Sequence, residues 1–212
     1  MSDISIAQIV IAFLVLLFSL TVHEASHAWA AYRCGDPTAR ALGRMTLNPM
    51  PHIDPIGTVV FPLIAIATHV PVIGWAKPVP VNEHRLRSAR RDMMLVAAAG
   101  PAANLALAVG AAGLVRVLVP ASAGLPVAVS APLWEGLSRM LEINVLLALF
   151  NLLPIPPLDG SGVVAGLLPP AAAAAFDRLR PYGFLVLYAL LLTGTLGAII
   201  LRPYSMVMSW LL

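Results

Sequence analysis

The sequence predicts an all-α polytopic membrane protein, and three observations predict it. Of the 212 residues, 59% are hydrophobic and 11% charged, with a mean hydropathy of +0.88, which is too apolar for a water-soluble domain of this length. The apolar residues fall in runs long enough to cross a bilayer as helices, separated by stretches rich in Pro, Gly and Arg. The first run ends in the pentapeptide His23-Glu24-Ala25-Ser26-His27. Ionisable side chains inside an apolar span are costly, and a functional role is their default explanation.

Ile4 to Ala31 is the first helix, longer at ~1.5 Å per residue than a ~30 Å hydrocarbon layer. His23 falls ~28 Å from its start, just inside one membrane face and within reach of water. No basic leader and no A-x-A-like cleavage site precede the motif, so the helix reads as retained, not as a signal peptide. From Tyr32 to Asn48 the chain turns polar, with Arg33, Arg40 and Arg44 among Gly35, Asp36, Pro37 and Gly43, which predicts a loop or a small extended or hairpin region at that face. Ile56 to Val70 is apolar but short, flanked by Pro55 and Pro71 and interrupted by Pro62, which breaks helical hydrogen bonding. Gly74 to Asp92 is a second polar stretch, carrying Lys77, Arg85, Arg87, Arg90 and Arg91. Met93 to Val119 is a strong span, Pro120 to Pro132 a small-residue loop, and Leu133 to Leu153 a further span. Pro154 to Gly162 breaks the pattern, Ala171 to Ala175 is a short helix or linker, and Tyr182 to Leu201 is the last span. About four spanning helices plus a re-entrant or short apolar segment result. No stretch outside them is mixed enough to build a second core, so residues 1–212 form a single membrane domain.

The formal charge of +3 does not indicate a nucleic-acid partner. The basic residues lie in short clusters beside apolar segments, not in a stripe with aromatics, and so read as topology signals. The positive-inside rule wants both arginine-rich stretches cytoplasmic, so the segment from Ile56 to Val70 dips and returns. Arg178 and Arg180 then fall inside too, and ten of the thirteen basic residues are cytoplasmic, leaving Arg116, Arg139 and Arg202 elsewhere. Localisation follows as a multi-pass protein of the cell (inner) membrane. Cys34 is the only cysteine, which excludes an intrachain disulfide and a cysteine-rich zinc site.

Residues four apart share a helix face, so His23 and His27 can hold one cation, and Glu24 beside them is placed to take a proton from an attacking water. An open catalytic zinc site takes three protein ligands, so a third must come from elsewhere. Asp54, Asp159, His52, His69 and His84 are the candidates. Asp159 is favoured because Pro-Pro-Leu-Asp-Gly ends an inward-running span at the depth expected for His23 and His27, although a carboxylate at such a break can instead form a turn. Lone histidines also titrate or hydrogen-bond without a metal, which is the ordinary role for His52, His69 and His84. A metal transporter or membrane metal-binding protein is the competing function, but a permeation path needs polar groups staggered through the bilayer. A proteolytically inactive scaffold is a third reading, opposed by the intact Glu24.

Together with His23–His27, the stretch Asn-Leu-Leu-Pro-Ile-Pro-Pro-Leu-Asp-Gly from Asn151 to Gly160 resembles the site-2 protease family of intramembrane zinc metalloproteases. Gly-Arg-Met-Thr-Leu-Asn-Pro from Gly43, His-Ile-Asp-Pro-Ile-Gly-Thr from His52, Gly-Trp-Ala-Lys-Pro-Val-Pro-Val-Asn from Gly74 and Ala-Gly-Pro-Ala-Ala-Asn-Leu from Ala99 resemble its compact bacterial branch, without a PDZ domain. The resemblance implies one Zn2+ per chain held by His23, His27 and Asp159, Glu24 as general base, and Asn151 as a holder of the substrate strand or the developing oxyanion. Asn104 on the facing helix is as readily a polar contact between helices. The resemblance further implies single-span membrane proteins as substrates, cleaved in or near their transmembrane helices close to the cytoplasmic face. A helix must unwind to be cut, and an exposed backbone edge, expected between Tyr32 and Asn48, would hold it open. Glu83 stands where the family usually has a proline. Substrate identity, upstream trigger and oligomeric state are not legible in the chain.

Overall fold

The structure, a computed structural model, describes residues 5–61, 64, 74–121 and 124–212. Helix α1 (Ile6–Arg33) begins where Ser5 caps it: Ser5 Oγ accepts from the Gln8 N–H at 3.2 Å and Gln8 Oε1 accepts from the Ser5 N–H at 3.0 Å. This reciprocal pair satisfies donors that a helix start otherwise leaves open. The helix stops at Cys34, and Gly35 follows at φ 110°, a left-handed turn that suits a residue without Cβ.

No strand forms among the described residues, so of the loop or hairpin expected after α1 the structure has the loop. Residues 34–54 make turns, a short helix α2 (Thr38–Ala41) and a 3-10 turn at Met50–His52. The reason is local. Asp36, fully enclosed, accepts from the Thr38 N–H at 3.0 Å and from Thr38 Oγ1, and such side-chain bonds compete with strand pairing. Extended backbone instead runs through 74–82, where Trp75 N–H donates to the Gly57 carbonyl at 3.2 Å and Lys77 N–H to that of His52 at 2.9 Å. Pro78 and Pro80 withhold the donors a longer ladder would need. Pro55–Val60 is a π-helical turn capped by Asp54, which accepts from the Ile56 and Gly57 N–H groups. Beyond Phe61 the expected re-entrant segment, with Pro62 and His69, lies outside the described residues except for Ile64.

Six further helices follow among the described residues: α3 (Ala89–Ala121), α4 (Val127–Asn151), α5 (Asp159–Leu167), α6 (Pro170–Asp177), α7 (Gly183–Leu192) and α8 (Thr195–Leu211). Helix α3 is the hub, packed against α1, α4 and α5. Its partners come close because the contacts are small: Ala30 and Ala31 of α1 meet Val96, and Ala108, Ala111 and Ala112 meet Leu141 and Val145 of α4. Large apolar side chains such as Ile6, Leu14, Val109 and Val117 point outward, as a lipid solvent permits.

Among the described residues, two helices qualify by length and composition as membrane spans, Ile6–Arg33 and Ala89–Leu118, and a third if a bent pair counts as one. Helix α4 falls short because every 18-residue stretch within it carries Glu135, Arg139 and Glu142. These charges pair with one another, Arg139 reaching Glu135 at 2.8 Å and Glu142 at 3.2 Å. The single last span expected over Tyr182 to Leu201 is broken: α7 stops at Leu192, Gly194 takes φ 73°, and the flanking helices differ in direction by 80°. Thr193 Oγ1 donates back to the Ala189 carbonyl at 2.8 Å just before Gly194 turns the chain.

Candidate metal centre

One turn apart on α1, His23 and His27 bring their Nε2 atoms to 3.0 Å. Asp159 opens α5 and sets Oδ2 3.0 Å from His23 Nε2 and 3.3 Å from His27 Nε2. Both imidazoles turn Nδ1 toward an oxygen: His27 toward the Val96 carbonyl at 2.7 Å, His23 toward Asn104 Oδ1 at 2.6 Å. In the neutral rings Nδ1 therefore carries the hydrogen and Nε2 the lone pair. Three acceptor atoms converge, and although the Nε2 contacts are close, no donor is aligned on the enclosed Asp159 Oδ2. A buried acceptor without a donor is expensive. A divalent cation satisfies all three at once, and the two-imidazole, one-carboxylate set is one that zinc takes. Among the described residues, these three form the group able to hold a metal ion.

The backbone behind the imidazoles belongs to Gly100 of α3. A Cβ there would collide with both rings, lying 2.6 Å from His23 Nε2, so the site has room only because the residue is glycine. Glu24 is buried beside the ligands, and its Oε2 accepts from the Val79 N–H at 2.9 Å. That amide is placed by Arg44, a buried guanidinium that donates to the Lys77 and Pro78 carbonyls. The pair holds the extended segment against α1. Asn151, at the end of α4, lines the same cleft and donates one amide hydrogen to the Leu147 carbonyl at 3.0 Å, leaving a second for another acceptor. The cleft encloses about 620 Å³ and has apolar walls from Trp75, Phe150, Phe184 and Leu187.

Of the other candidate ligands, Asp54 caps its turn, His84 lies in an exposed turn, and buried His52 points Nε2 at the Thr46 carbonyl at 3.0 Å. None joins the group of three. His69 lies outside the described residues. Sequence reasoning missed Gly100, Val79, Ser19 and Asn144, and weighed Asn104 as a weaker candidate for the role of Asn151 and as readily a contact between helices. A polar residue in an apolar span was the one signal that could have marked Asn144.

Residues 11–125 match peptidase family M50. A Bacillus subtilis protein named "Putative zinc metalloprotease YwhC" is 40% identical over 190 residues, covering 90% of this chain and 83% of that protein. Proteins named "Putative zinc metalloprotease Rip2" are 35% identical in Mycolicibacterium smegmatis and 33% in Mycobacterium tuberculosis, each over 182 residues that cover 85% of this chain and 66% of theirs. No solved structure matches the chain. The family match spans more than half of the sequence and carries both histidines, so the chain belongs to peptidase family M50.

Proposed function

We propose that this chain is an intramembrane zinc metalloendopeptidase whose zinc is held by His23, His27 and Asp159 and whose general base is Glu24. The observation that carries this reading is the convergence of two imidazole lone pairs and an enclosed carboxylate oxygen beside Glu24. Bound there, zinc supplies a Lewis acid that polarises the scissile carbonyl and lowers the pKa of water toward ~7. Glu24 takes the proton of the attacking water and passes it to the leaving amine. With Oε2 engaged by Val79 N–H, the other carboxylate oxygen is the one that works on the water. Asn151 turns its remaining amide hydrogen to the tetrahedral oxygen, a contribution whose loss costs ~10²-fold or more in comparable sites.

The substrates are single-span membrane proteins, cut in or near their helices once the scissile stretch has unwound. Segment 74–82, extended and bordering the cleft, lies along the path of that strand. The chain crosses the cell (inner) membrane about four times, with α4 and the bent pair completing the spans. The site opens near the cytoplasmic face, because the arginine clusters flanking it obey the positive-inside rule there.

Glu24→Gln tests the reading. The variant is expected to bind zinc as the wild type does and to lose cleavage of a transmembrane substrate in proteoliposomes by ~10²-fold or more. Cleavage at the wild-type rate would remove Glu24 from its role.

A further inference from the structure

We infer that Asn144 and Asn104 form a directional relay that fixes the tautomer of His23, making both of them positioning residues for the metal ligand. The inference rests on the reading of His23 as a zinc ligand. Its direction follows from atoms that can act in only one sense. The Met140 carbonyl can only accept, and Asn144 presents a side-chain atom to it at 2.8 Å, so that atom is the amide nitrogen, Nδ2. The same nitrogen reaches Ser19 Oγ at 2.8 Å. Asn144 Oδ1 must then face the other way, toward Asn104, where it meets Nδ2 at 2.8 Å. Asn104 Nδ2 also points at the Ser19 carbonyl, at 3.4 Å, a second group that can only accept.

Asn104 is left with Oδ1 toward His23 Nδ1 at 2.6 Å. His23 Nδ1 must therefore carry the hydrogen, and Nε2 holds the lone pair on the side of Asp159 and His27. Ser19, Asn104 and Asn144 are all 0% exposed, so no bulk water competes for these bonds. Buried networks of this kind are stiff because each member fixes the next. The relay starts on a backbone carbonyl of α4, crosses α3 and ends on α1, whereas His27 is oriented directly by the Val96 carbonyl of α3. A simple contact between helices would need the two amides to be paired. It would not need Asn104 to present oxygen to the ligand.

The test uses the full-length protein purified in detergent and two measurements: the zinc dissociation constant by chelator competition, and the unfolding temperature of the metal-free protein. Asn104→Leu removes the acceptor from His23 and is expected to weaken zinc binding ~10- to 100-fold. Asn104→Leu combined with Asn144→Leu is expected to bind zinc as weakly as Asn104→Leu alone, because Asn144 reaches His23 only through Asn104. Asn144→Leu frees Asn104 to turn without touching His23 and is expected to weaken binding at least about threefold, toward the lower end of that range. If Asn104→Leu does not fold, Asn144→Leu alone decides, by whether its zinc affinity falls at least about threefold. Zinc affinity unchanged in either single leucine variant, with only the metal-free unfolding temperature lowered, would overturn the relay, as would losses that simply add in the double variant. Wild-type protein that bound no zinc would instead overturn the underlying reading of the site, and the relay with it.

Discussion

Gly100→Ala is the smallest change that should empty the metal centre. The new Cβ would sit 2.6 Å from both Nε2 and Cε1 of His23, against an ordinary contact that begins at 3.4 Å, and it would press on His27 as well. Rings or helix must therefore withdraw by roughly 0.8 Å, several times the ~0.2 Å within which metal–ligand distances are held. Helix α3 cannot easily withdraw, because Val96 and Ala99 pack against Ala30 and Ala31 one turn away. The imidazoles move instead, and two of three ligands lose their aim. Overpacking of this sort costs ~1–3 kcal/mol. A zinc affinity reduced at least ~100-fold, or ~2.8 kcal/mol, is the expected outcome. The assay is chelator competition on detergent-purified protein, with transmembrane-substrate cleavage measured in parallel. Gly110→Ala, on the same helix with nothing within 4 Å of its Cβ, is the control and should bind zinc normally. Wild-type zinc affinity in Gly100→Ala would refute the placement of α3 behind the histidines.

Three further outcomes follow from the structure. Removing zinc by chelation should lower the unfolding temperature, since a ligand present at 100 times its dissociation constant stabilises by ~2.7 kcal/mol; His27→Ala should abolish that dependence on chelator. Burial alone would raise the Asp36 carboxyl, but hydrogen bonds from Thr38 and Asn82, with Arg85 nearby, hold it below the usual carboxylate range. Its stabilisation is complete above the unfolded value near ~3.9 and is lost as pH falls through the lower folded value, so stability curves of wild type and Asp36→Asn should separate near neutrality and converge in acid. Arg44→Gln should leave zinc content intact yet reduce cleavage, because freeing the Lys77 and Pro78 carbonyls lets Val79 leave Glu24; unchanged turnover would count against that support.

Legibility differed between site and fold for physical reasons. His23, Glu24 and His27 could be read directly because helical periodicity places residues four apart on one face. Asp159 was harder, since it joins them from over a hundred positions away and only depth in the membrane linked the two motifs; the structure brings its Oδ2 to 3.0 Å. Spans were legible where apolar runs were uninterrupted, as in α1 and α3. They were harder to read where a local device intervened. Thr193 and Gly194 bend what hydropathy alone makes one helix, and Asp36 folds a would-be hairpin into turns.

Composition and spacing by themselves determined that this is a membrane-embedded helical protein with two histidines one turn apart near the end of its first span, because hydropathy and helical period are properties of neighbouring residues. Only the tertiary structure decided which glycine backs the two imidazoles, which backbone amide bonds Glu24 and which two asparagines line up behind His23. Those contacts join helices distant in sequence, and nothing local to any one segment encodes the distance between them.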